Sequence, residues 1–289
     1  MLNRWNLAMT SRFVDVDGIE GRAHALCRPT EGKPVVLVNS IGIPAAMWAP
    51  LMAQLDGFSL YAVDLPGFGL TGRFTDPSGD YRFNAVTFLA QVVQQLGLDR
   101  PVFVANSMGS LWTTWLALDQ PNLVAAMSHV GCPAVWFGTS APLPMRLLSV
   151  RGLGEAMMRV QPPSPRQVRQ LSKMVNEDPL PPELADLLLA TERLPDHSSM
   201  FLFNLRAMVR LRGARPTLTF TADQAAQVTQ PVQLIWGDRD PFGDPTVGMQ
   251  AARSLACAEP QVVPGGHAPW VHHSEVVARH LIPFLSKKA

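Results

Sequence analysis

The chain predicts an α/β fold: a mostly parallel, doubly wound sheet with a helical cap inserted into it. Three observations carry this. Short runs of consecutive apolar residues recur, as strands covered on both faces require. Helical patterns alternate with those runs, the order that builds a doubly wound sheet. The alternation stops over residues 133–229, where helical stretches follow one another. A structureless loop of that length does not suit a compact domain, so the segment reads as a cap.

In chain order, residues 13–16 and 22–25 flank Asp17-Gly18 and suggest an antiparallel hairpin at the sheet's edge. Residues 35–38 and 60–63 are strands, with a helix over 45–55 between them. A helix over 83–96 leads to strands over 102–104 and 125–130, themselves separated by a helix over 108–118. The cap holds helices over 145–159, 166–175, 182–193 and 200–211, punctuated by Pro162-Pro163-Ser164-Pro165 and Pro179-Leu180-Pro181-Pro182. Strands over 232–236 and 261–263 follow, with helices over 247–256 and 274–285. The expected division is a core of residues 1–132 and 230–289 and a cap of residues 133–229.

At 289 residues the chain suffices for one large domain, or a domain plus an insert. A net charge of +1 supplies no global field for nucleic acid or an acidic membrane surface, and neither partner is expected. Residues Met1-Leu2-Asn3-Arg4-Trp5-Asn6 lack the apolar stretch of a secretory signal, and no run is long enough to span a membrane. Cys27, Cys132 and Cys257 are odd in number, far apart and match no zinc or redox spacing, which suits a reduced, cytoplasmic setting. Residues 145–216 carry ten Arg and one Lys against seven Asp plus Glu. That excess reads either as a solvated helical surface or as an entrance that attracts anionic substrates.

The chemistry centres on Ser107, in Val102-Phe103-Val104-Ala105-Asn106-Ser107-Met108-Gly109. A serine is a poor nucleophile unless the fold exposes it and a base takes its proton. A sharp strand–turn–helix presents the hydroxyl at the strand's carboxyl end, in the motif Gly-x-Ser-x-Gly, here with Ala105 in place of the first glycine. His267 follows the last short strand in Gly265-Gly266-His267-Ala268-Pro269, where ligand sites of open α/β sheets gather. The carboxylate that orients it is Asp240, in Trp236-Gly237-Asp238-Arg239-Asp240-Pro241, with Asp238 as the alternative. Oxyanion donors are expected from the backbone amides of Met108 and of Ile41, in Asn39-Ser40-Ile41-Gly42-Ile43-Pro44. Substrate-binding candidates are Asn39, Ser40, Trp48, Trp136 and Trp270, and methionines and phenylalanines of the cap would suit an adaptable apolar wall.

These residues resemble the α/β-hydrolase superfamily. The marks are Asp64-Leu65-Pro66-Gly67-Phe68-Gly69, Asn106-Ser107-Met108-Gly109, Gly237-x-x-Asp240 and Gly266-His267-x-Pro269. Asn39-Ser40, where many relatives carry His-Gly, resembles the 3-oxoadipate enol-lactonase-like branch, while the Asn-Ser-Met-Gly elbow resembles hydrolases of ring-cleavage products. The resemblance implies a hydrolase in which Ser107, His267 and Asp240 cleave a carboxylic ester or lactone of a small, largely apolar molecule. No metal or organic cofactor is required. Hydrolysis of a carbon–carbon bond is the nearest alternative chemistry. Acyl transfer to an alcohol, and a receptor that closes its cap on a ligand, also remain open. Halide removal and epoxide opening resemble cases with an aspartate nucleophile, which Ser107 opposes.

Overall fold

A computed structural model describes residues 2–255 and 258–288. Cys257 and the expected helix end at residue 256 lie outside the described residues. The chain begins with β1 (Thr10–Val14), β2 (Ala23–Arg28), β3 (Pro34–Val38), α1 (Ala49–Met52), β4 (Ser59–Val63), α2 (Tyr81–Gln95), β5 (Val102–Ala105), α3 (Met108–Asp119) and β6 (Ala126–Val130). Then come α4 (Leu143–Leu148), α5 (Leu153–Val160), α6 (Pro165–Met174), α7 (Pro182–Glu192), α8 (His197–Met208), the short ribbon β7 (Val209–Arg210) and β8 (Gly213–Ala214), and α9 (Ala222–Ala225). The chain returns to the sheet through β9 (Val232–Gly237), α10 (Pro245–Ser254), β10 (Ala258–Val263) and α11 (Trp270–Lys288).

The main sheet runs β1-β2-β4-β3-β5-β6-β9-β10. β1 and β2 are antiparallel, as are β2 and β4; the remaining neighbours are parallel. Every residue of β4, β5, β6 and β9 is buried, which is why those strands read as unbroken apolar runs. Side chains alternate between faces. Val36 and Val38 join one cluster with residues of α2 and α3, while Val35 and Leu37 join another with α1 and α11. Along α11, Val277, Leu281, Phe284 and Leu285 recur at helical spacing and are buried. Each such side chain contributes about 1.5–3 kcal/mol when fully buried.

Four expected elements differ in detail. The segment joining β1 to β2 is no tight turn, because Ile19 bridges to Phe74 and the Glu20 amide donates to Arg73. Residues 45–55 form a 3₁₀ turn, Ala45–Trp48, before the short α1. The helix expected over 145–159 is two helices, α4 and α5, parted at Gly152, whose φ of 78° lies outside the helical region. The helix expected to reach residue 211 ends at Met208, where the chain turns into the β7–β8 ribbon.

β3 is the point at which the sheet reverses its order, with β4 on one side and β5 on the other. Loops at the carboxyl ends of strands flanking such a reversal frame a crevice. Residues 39–44 leave β3 there and Ser107 leaves β5.

Candidate active site

Ser107 stands between β5 and α3 with φ 53° and ψ −113°, a conformation that non-glycine residues rarely adopt. The turn is tight enough that a Cβ on Gly109 would lie 2.4 Å from the Val38 carbonyl oxygen and 2.6 Å from that of Asn39. The glycine after the serine therefore lets α3 start against β3. Ala105, the last residue of β5, is buried between Val38 and His129. The Ser107 carbonyl accepts the Ala134 amide at 3.0 Å, tying the segment after β6 to the turn.

His267 follows β10. Its Nδ1 lies 2.9 and 3.1 Å from the two carboxylate oxygens of Asp240. Asp240 also accepts the amides of Cys132 at 2.8 Å and Phe242 at 3.0 Å. These bonds hold the carboxylate, and the Phe242 ring stacks on the imidazole with centroids 4.1 Å apart. Nε2 of His267 is buried without a hydrogen-bond partner among the described residues. Asp238 turns elsewhere and accepts the Gly265 amide at 2.9 Å.

Asn106 joins the two halves. Its Nδ2 donates to the carbonyl of His267 at 2.9 Å and to that of Val130 at 2.7 Å. This bond pins the residue before Ser107 to the residue bearing the imidazole, across 161 positions of sequence. Asn39 works within its own loop: Oδ1 accepts the Ser40 amide at 2.9 Å and Nδ2 donates to Pro44 at 3.3 Å. Asp64, in the turn after β4, accepts the amides of Ala45 and Leu70 and pairs with His24 at 2.7 Å. Neither the Ile41 nor the Met108 amide is bonded to another group among the described residues.

A cavity of about 440 Å³ brings Ser107, His267, Asn39, Ser40, Ile41 and Trp270 together. Two expected contacts are corrected. Trp48 does not line it, because its ring is fully buried and stacked on Trp270 at 4.0 Å. Trp136 does not line it either; its ring packs between Phe220 and His129. The opposite wall comes from the segment between β6 and β9. Met145, Met157, Met158, Met174 and Phe201 face the cavity, as does Met47 from the loop after β3. Among the described residues no Arg or Lys lines it.

Three titratable groups in the wall were not legible from the sequence. Glu192 is buried, with no hydrogen-bond partner for its Oε2 among the described residues, and burial pushes its carboxyl up to about 7. Burial likewise pushes Glu177 up to about 7, against the opposing pull of two amide hydrogen bonds. Burial pulls His197 down to about 4, so the ring is neutral at ordinary pH. Each stands in a helix end or loop whose local pattern gives no signal of a cavity.

The comparisons agree with this architecture. A model of the alpha/beta hydrolase fold matches residues 33–273. A 2-hydroxy-6-oxononadienedioate/2-hydroxy-6-oxononatrienedioate hydrolase from a Pseudomonas species is 26% identical over 277 residues, covering 92% of this chain and 93% of that one. A pimeloyl-[acyl-carrier protein] methyl ester esterase from Shewanella oneidensis is 23% identical over 264 residues, covering 89% of this chain and 92% of the relative. Among solved structures, carboxylesterase CesB from Bacillus subtilis superposes with a TM-score of 0.79 at 19% identity, covering 100% of this chain and 95% of that one.

Proposed function

Because the chain belongs to the alpha/beta hydrolase fold family, we propose that it is a serine hydrolase that cleaves a carboxylic ester or lactone of a small, largely apolar substrate. One observation carries this reading. A histidine held by a carboxylate through Nδ1, with Nε2 unengaged, shares a cavity with a serine in the strained turn before a helix.

In this reading Ser107 Oγ attacks the carbonyl carbon while His267 Nε2 takes its proton. Asp240 keeps the proton of the neutral ring on Nδ1 and stabilises the imidazolium that forms. The oxyanion of the tetrahedral intermediate receives the amides of Ile41 and Met108, each worth about 3–4 kcal/mol in the transition state. Collapse of the intermediate breaks the carbon–oxygen bond, and the leaving alkoxide takes the proton from Nε2. Water, deprotonated by the same nitrogen, then attacks the acyl-enzyme and restores the Ser107 hydroxyl.

Residues 133–229 act as a cap that shapes the acyl-binding wall. Five methionines from three cap helices and the loop after β3 supply an apolar, adaptable surface. The charge of that wall favours an ester over a dianionic ring-cleavage product. The Pseudomonas relative is named for dioates, whereas this cavity offers two carboxyl groups and no Arg or Lys among the described residues.

The test is a panel of short p-nitrophenyl esters, lactones and ring-cleavage dioates, with fluorophosphonate labelling alongside. Labelling at Ser107 is expected, with ester or lactone turnover that falls about 10⁴-fold or more in Ser107→Ala. Turnover unchanged by Ser107→Ala, or a dioate cleaved more efficiently than every ester and lactone, overturns the proposal.

A further inference from the structure

Three consecutive residues of the segment between α6 and α7 close on the loop that carries His267. The Val175 carbonyl accepts the His267 amide at 3.0 Å. Asn176, at φ 59°, donates Nδ2 to the Arg239 carbonyl at 2.7 Å, one residue before Asp240. Glu177 Oε1 accepts the amides on both sides of the imidazole, Gly266 at 2.7 Å and Ala268 at 3.2 Å. The fit leaves no slack: a Cβ on Gly266 would lie 2.2 Å from the Val175 oxygen and 2.8 Å from that of Asn176.

From this geometry we infer that Glu177 is a positioning residue for His267, fixing the backbone from which the imidazole reaches Ser107. The inference rests on the reading of His267 as the general base. Asp240 restrains the ring through one nitrogen, but a hydrogen bond is also a hinge about which the ring and its loop can move. The two amides bonded to Glu177 flank the ring in sequence, so they limit that motion at its origin. A misplacement of about 1 Å at a base costs on the order of 100-fold in rate. The clamp comes from the same wall that meets the acyl group, since Met174, Val175 and Glu177 all line the cavity.

Facing Glu177 are His267, Asp240 and Arg239 from the core loops, and His272 from α11, whose Nε2 lies 3.1 Å from the Glu177 carbonyl and 3.9 Å from its Oε2. Lys173 and Asp178 belong to its own stretch of chain.

The experiment measures kcat and KM for a p-nitrophenyl ester with the full-length wild type, Glu177→Gln and Glu177→Leu. Glutamine keeps one oxygen able to accept both amides; leucine accepts neither. Glu177→Leu is expected to lose about 30-fold in kcat with KM changed less than about threefold. Glu177→Gln is expected to recover most of that loss, because its oxygen still accepts both amides. If Glu177→Leu does not fold, the smaller Glu177→Ala, which also accepts neither amide, decides by the same readouts. The downfield proton resonance of His267 Nδ1–H needs no substrate, and it is expected to broaden in Glu177→Leu and stay sharp in Glu177→Gln. Full turnover in Glu177→Leu, or a loss in Glu177→Gln as deep as in Glu177→Leu, or a resonance indifferent to both variants, overturns the inference. Failure of the hydrolase reading itself appears separately, as ester turnover that survives Ser107→Ala.

Discussion

Asp240 holds Nδ1 of His267 with both carboxylate oxygens, at 2.9 and 3.1 Å, while the amides of Cys132 and Phe242 hold Asp240. Asp238, two residues earlier, instead accepts the Gly265 amide. Asp240→Asn replaces an acceptor with a group that can donate, which favours the wrong tautomer of the ring. A fall of about 10⁴-fold in kcat is expected. Asp238→Asn keeps an acceptor oxygen for Gly265 and is expected to cost less than about tenfold. Steady-state kinetics of the two variants on one ester compares them, and the reverse order would assign the acid to Asp238.

Gly109 faces backbone oxygens of Val38 and Asn39 at 2.4 and 2.6 Å from where a Cβ would sit. Neither oxygen belongs to a flexible side chain. Gly109→Ala should therefore push α3 away from the loop that bears Ile41, at a cost of about 1–3 kcal/mol in stability and with a loss in kcat as the amides of Ile41 and Met108 separate. Urea unfolding and ester kinetics check both effects. Wild-type values for both would mean that the turn has room to spare.

Glu192 is the clearest linkage between pH and stability. Burial raises its carboxyl from 4.5 to about 7, so the folded chain holds this proton more tightly than the unfolded chain does. The penalty is absent below pH 4.5, grows as pH rises through the interval and is complete above 7. Glu192→Gln removes it. The variant is expected to match wild type near pH 4 and to exceed it by about 3 kcal/mol near pH 8. Denaturant unfolding at both pH values tests this, and parallel curves for the two proteins would contradict it.

The cavity wall carries carboxyl groups and no Arg or Lys among the described residues. A p-nitrophenyl ester with a carboxylate at the far end of its acyl chain would lose hydration there without gaining a counter-charge. Its kcat/KM is expected to be about 100-fold below that of the methyl-terminated chain of equal length. Equal efficiencies would show that the acyl chain ends in solvent.

Strand and helix order was legible because it depends on near neighbours. Continuous apolar runs mark strands buried on both faces, and the alternation of β5, α3, β6 and then β9, α10, β10 follows from them. The positions of Ser107, Asp240 and His267 were legible for the same reason, each standing just past an apolar run. The break at Gly152 was not legible, because the apolar spacing continues across it while the backbone turns through φ 78°.

By itself, then, the sequence determined a doubly wound sheet and the three candidate side chains at the carboxyl ends of β5, β9 and β10. Only the tertiary structure decided which groups meet there. It buried Trp48 and Trp136 away from the cavity. It brought Glu177, Glu192 and His197 into the cavity wall, and it tied Asn106 to His267 across 161 positions. The physical reason is range. Periodicity and turn chemistry are set within a few residues, whereas a cavity is what remains when helices distant in sequence pack against a sheet, and its lining belongs to no single segment.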